Sequence, residues 1–124
     1  MTRIAFYGDI AASESRPVSS VLTNWLDRGP LNGRERMFGY ELTYEDESTY
    51  LYCHEAATAP GRPTHYLIEG TLDGDESESV ANLKQLINLC ASSGLSCEID
   101  YMPVDSEGEP VGAEVTMTTR DSSK

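Results

Sequence analysis

Lysine is nearly absent from this chain: 124 residues hold Lys84 and Lys124 and no other. Nine basic residues in all face twenty-one carboxylates, and the formal net charge is −12. A surface of that sign repels nucleic acid and anionic lipid, and it attracts basic partners. Cysteine is sparse as well. Cys53, Cys90 and Cys97 make an odd count with no C-x-x-C spacing, which excludes a secreted disulfide scaffold and points to free thiols in a reducing compartment. No run approaches the roughly twenty apolar residues that a membrane span needs. Met1-Thr2-Arg3 leads only into the short apolar stretch Ile4 to Tyr7, which does not read as a secretory signal. The expected location is therefore the cytoplasm, or the host cytoplasm for a phage-encoded protein.

Motifs that name an activity are missing too. There is no Gly-x-Ser-x-Gly elbow, no Cys/His catalytic signature and no glycine-rich phosphate loop. Asp73-Gly74-Asp75-Glu76-Ser77-Glu78 has calcium-loop residue types, but its glycine is in the second place and the ligand spacing fails the twelve-residue pattern. It reads as the start of a helix, with Ser77 or Ser79 as the cap. No cofactor is implied.

What the chain does have is an uneven distribution of charge. Residues 1–40 hold five arginines against four carboxylates, whereas residues 41–124 hold four basic residues against seventeen. Hydrophobic periodicity supplies the elements. Ile4 to Gly8 reads as a strand. Val18, Val21, Leu22, Trp25 and Leu26 fall on one face of a helix that opens near Pro17 and stops at Gly29-Pro30. Phe38, Tyr40, Leu42 and Tyr44 alternate with Gly39, Glu41, Thr43 and Glu45, and Asp46-Glu47-Ser48 turns the chain into a returning strand, Thr49 to His54. His65 to Leu72 is a further strand. Val80, Leu83, Leu86, Ile87 and Cys90 form a second helical stripe, stopped by Gly94. Strands through Leu95–Met102 and Ala113–Met117 complete the order.

The expected fold is α+β in one domain, residues 1–124. Two strand–helix–strand–strand units, 1–54 and 55–118, form one mostly antiparallel sheet of six strands with two helices on one face; the tail 119–124 frays. Gyrase-inhibitor-like ligand-binding domains and vicinal-oxygen-chelate enzymes share that plan as architecture, and no residue motif places the chain in either.

A sheet whose other face stays open, carrying carboxylates at alternate positions about 7 Å apart, has nearly the spacing of phosphates along one nucleic-acid strand. The function expected from this is non-enzymatic. The chain reads as a small acidic inhibitor that mimics nucleic-acid charge and blocks a basic, nucleic-acid-handling protein, in the manner of phage anti-defence or toxin-immunity proteins. The candidate contacts are Glu41, Glu45, Asp46, Glu47, Tyr50, Tyr52, Glu98 and Asp100, with tyrosines as anchors. No direct nucleic-acid or membrane contact is expected, and a homodimer is one assembly the sequence allows. The bland reading of the same acidity is solubility or adaptation to high internal salt. Two alternatives compete: a small-ligand domain with a Tyr- and Trp-lined cleft, and a metal-dependent enzyme built on His54, Glu55 and His65. Successive strand residues point to opposite faces, so that metal set needs the intervening loop to fold back.

Overall fold

The computed structural model describes residues 2–26, 32–36, 39–56 and 64–119, with the backbone alone at 15, 32–36, 39 and 40. In chain order the elements are β1 (Thr2–Ala12), α1 (Ser15–Leu26), β2 (Asn32–Arg36), β3 (Gly39–Glu45), β4 (Thr49–Glu55), β5 (Thr64–Gly74), α2 (Glu76–Ser92), β6 (Ser96–Val104) and β7 (Val115–Thr118). They build one seven-stranded sheet in the order β2-β3-β4-β5-β1-β6-β7, and every neighbouring pair is antiparallel. The fold is the α+β arrangement the periodicity predicts, with one strand more than the six expected. The extra strand, β2, reads Asn-Gly-Arg-Glu-Arg. It is polar throughout, so it has no alternation to read, and only its pairing with β3 makes it a strand. Phe38 and the Gly29-Pro30 stop lie outside the described residues.

The two helical crossovers differ. β5 and β6 flank β1 and both run antiparallel to it, so α2 joins two parallel strands with a third between them. After α1 the chain crosses to the far edge of the sheet and returns through β2, β3, β4 and β5 as a meander.

Alternation decides which face is covered. On β1 the even residues Ile4, Phe6, Ile10 and Ala12 are buried. Register places the β5 partners of Ile4, Phe6, Gly8 and Ile10, which are Leu72, Gly70, Ile68 and Tyr66, on the same face, and Leu51 and Cys53 of β4 continue it. Both helices cover this face. Val18, Val21, Leu22, Trp25 and Leu26 of α1 are buried, as are Leu83, Leu86, Ile87 and Cys90 of α2. Trp25 packs edge-on to Phe6 with ring centroids 6.0 Å apart, and its indole N–H donates to the Asn82 carbonyl of α2 at 2.7 Å. One aromatic side chain thus ties both helices to the central strand.

The helix ends follow the sequence chemistry with one correction. The cap of α2 is Asp75, not Ser77 or Ser79: its side chain accepts from the Glu78 backbone N–H at 3.2 Å and from the Ser77 hydroxyl. Ser79 is buried inside the first turn. A carboxylate suits this place because it meets the orphan N–H groups and the positive end of the helix dipole together. These bonds hold the Asp75 carboxyl below its ordinary range, the Ser77 bond most. Gly94, at φ 75, ends the helix, and the Leu95 N–H reaches back to the Cys90 carbonyl at 2.9 Å.

Gly70 gives the core its depth. A Cβ there would lie 2.0 Å from the Tyr50 carbonyl oxygen and 2.8 Å from Cζ of Phe6. The Tyr50 oxygen is backbone within the β4–β5 pairing, and the Phe6 ring cannot yield without disturbing Trp25. Gly70→Ala should therefore destabilise the fold by about 3 kcal/mol, the upper range for overpacking. Urea unfolding with an unchanged m-value measures this, and a loss below about 0.5 kcal/mol, the usual size of a surface change, would show that the strand has room.

Candidate functional site

Among the described residues, no helix packs on the opposite face of the sheet. The register aligns its outward residues in rows across the strands. One row runs Glu41, His54, Leu67, Asp9, Glu98, Thr118 from β3 to β7, and the next runs Thr43, Tyr52, Glu69, Tyr7, Asp100, Thr116. A third holds Glu45, Tyr50, Thr71, Ala5 and Met102. Carboxylates and aromatic rings thus alternate over a common surface. Glu41 and Glu98, in the same row, are four strand spacings apart, about 19 Å.

Six of the eight candidate contacts lie on this face: Glu41, Glu45, Tyr50, Tyr52, Glu98 and Asp100. Asp46 and Glu47 sit in the β3–β4 turn. Asp46 holds that turn, since its carboxylate accepts from the Ser48 and Thr49 N–H groups at 2.9 and 2.8 Å and from the Tyr44 hydroxyl at 2.7 Å. Glu41 is only 6 % exposed and accepts from the Tyr52 hydroxyl at 2.9 Å. Tyr50 is 40 % exposed. Tyr52 stacks on His54 with ring centroids 5.2 Å apart.

The metal-type residues separate. His54 pairs with Leu67 on the open face and Glu55 with Tyr66 on the covered one. His65 sits further along the open face, its Nδ1 2.8 Å from the Asp9 carboxylate. Among the described residues, no group of three or more His, Cys, Asp and Glu is arranged to hold a metal ion. Trp25, proposed as a cleft residue, is buried between the helices and the sheet.

Residues beyond the sequence-derived set belong here too: Tyr7, Asp9, Leu67 and Glu69. Tyr7 is 45 % and Leu67 38 % exposed, so these two and Tyr50 put bulky apolar surface among the carboxylates. The signal for Tyr7 and Asp9 was an alternation running to Ala12, twice the length of the apolar stretch that marks the strand in the sequence.

Among the described residues, hydroxyl groups meet several carboxylates on or beside this face. Tyr7 donates to Glu114 at 2.8 Å, Tyr52 to Glu41, and Thr116 to Asp100. Arg3 forms an ion pair with Asp73 at 2.7 Å at the margin of the face. A hydroxyl satisfies a carboxylate's lone pairs and leaves its charge intact, so the face stays electronegative although its oxygens are hydrogen-bonded. Comparison with protein-family models and with curated proteins returns no match.

Two measurements check this geometry. The Glu114 hydrogen bond, then desolvation, raises the Tyr7 phenol above the ordinary tyrosine value of 10.0. Only the neutral phenol donates, so this contribution to stability is complete below pH 10 and is lost as pH rises through the raised pKa. In an NMR titration of the Tyr7 ring, Glu114→Gln should return the midpoint toward 10; an unchanged midpoint would contradict the bond. Burial pushes the Cys53 thiol up to about 12, and Cys90 and Cys97 are buried as well. Native protein at pH 8 should therefore resist thiol reagents that label all three cysteines in urea, and rapid native labelling would place a thiol at the surface.

Proposed function

We propose that the open sheet face is a docking surface for a basic protein, and that the chain acts as a small acidic, non-enzymatic inhibitor of a nucleic-acid-handling target. The observation that carries this reading is one sheet face, without a helix among the described residues, that exposes Tyr7, Tyr50 and Leu67 among Asp9, Glu45, Glu69, Glu98 and Asp100. Acidity that served only solubility has no reason to gather exposed aromatic and aliphatic groups on the same face. Interfaces combine the two: aromatic anchors supply desolvated contact area, and surrounding charge steers the encounter. Arginine suits both, because it pairs with carboxylates through its fork and stacks on tyrosine. The phosphate-like spacing of the carboxylates favours a target whose own basic surface meets nucleic acid. Anti-defence and immunity roles fit this chemistry, as does a cytoplasmic site of action.

The test uses the whole protein as bait in a cell lysate at about 150 mM salt, where screening beyond a Debye length of about 8 Å removes diffuse attraction. The wild type and a Glu76→Lys/Glu78→Lys variant on α2 should retain the same basic protein. A Glu69→Lys/Asp100→Lys variant, and separately Tyr7→Ala/Tyr50→Ala, should lose it. Equal losses from the α2 and sheet variants, or no basic protein retained above background, would assign the charge to solubility.

A further inference from the structure

The open face ends in a notch, and its lining has a chemistry of its own. β7 pairs with β6 only from Glu98 to Tyr101, so Ser96 and Cys97 extend beyond it. There the Cys97 N–H donates to the Thr119 hydroxyl at 3.2 Å. The cavity left beside them, about 770 Å³, is lined by Asp9, Glu98 and His65, by the hydroxyls of Ser96, Thr118 and Thr119, and by the small or apolar Ala11, Ala91, Leu95 and Cys97. Asp9 and Glu98 are direct register partners, so their carboxylates project side by side from adjacent strands. Ala91 and Leu95 bring in the C-terminal end of α2. That end is the negative pole of a seventeen-residue helix, and no basic side chain stands in its last turn.

We infer that this notch is a socket for a guanidinium group, filled by an arginine side chain of the basic partner; this rests on the proposed docking role of the face. His65 Nδ1 holds the Asp9 carboxylate in place at 2.8 and 2.9 Å; the lone pairs it leaves on Asp9, together with the Glu98 carboxylate beside it, match the planar fork, the hydroxyls take the remaining N–H groups, and the apolar wall accepts the methylene stem. A lysine ammonium makes a point contact and holds its hydration more tightly, so it gains less from this shape. The carboxylates of the notch belong to the same row as the rest of the face, and an arginine seated here therefore fixes the partner's register on it.

Agmatine, an alkylguanidinium with one arginine-like stem, probes the socket without any partner. Calorimetric or NMR titration of the full chain at about 150 mM salt should give saturable, one-to-one binding. Asp9→Asn/Glu98→Gln should weaken it about tenfold or more, and Ala91→Leu, which fills the cavity with both carboxylates in place, should do the same. Glu76→Gln/Glu78→Gln, on α2 outside the face, should change it less than about twofold, and agmatine should displace the retained partner. Non-saturable binding by the wild type, or equal weakening by the notch and control variants, overturns the socket. A basic protein still retained by the sheet face in that case leaves the docking role standing, which separates the two failures.

Discussion

The constraint on which this molecule depends is that both described helices pack on the same side of its sheet. β1 and β5 lie at the centre and pair along their full eleven residues, so their alternation sets the face of every residue to either side. Phe6 is the pivot. Its ring lies over Gly70, where no side chain fits, and against Trp25, whose indole reaches α2. With the even positions of β1 committed to that core, the odd positions Arg3, Tyr7 and Asp9 must face away from the helices. A slip of one residue would exchange the two sets, burying Asp9 and exposing Ile10.

That geometry concentrates charge. Carboxylates from four strands, Glu41 and Glu45 of β3, Glu69 of β5, Asp9 of β1, and Glu98 and Asp100 of β6, share one surface. Tyrosine and threonine hydroxyls solvate several of them in place of water and cancel none of their charge. The surface is thereby ordered and electronegative at once, the condition under which a cationic partner gains from binding without a large rearrangement of the face. At the notch, the negative end of α2 adds to the same field.

Much of this was legible in residues 38–54 and 64–102, where apolar residues alternate strictly or recur at helical spacing. Both helical stripes, the β3–β4 hairpin, the Gly94 stop and the outward placement of six of the eight candidate residues follow from that periodicity. β2 did not, because Gly33, Arg34, Glu35 and Arg36 carry no apolar face and pair through their backbone. The cap at Asp75 was hidden among four capping-type side chains, Asp73, Asp75, Ser77 and Ser79, within seven residues. Tyr7, Asp9 and Glu69 were visible as residues but not as a site, since only the pairing of β1 between β5 and β6 brings them beside Tyr52 and Asp100. The order of strands is a long-range property that local alternation does not encode.

Hydroxyl-radical footprinting of the chain, free and bound to the basic protein it retains, tests the central claim most directly because it reads side chains one by one. The account predicts that Tyr7, Tyr50 and Leu67 lose reactivity in the complex, while exposed side chains of α1 and α2 react as before. Protection confined to the helices, with those three residues still fully reactive, would contradict it.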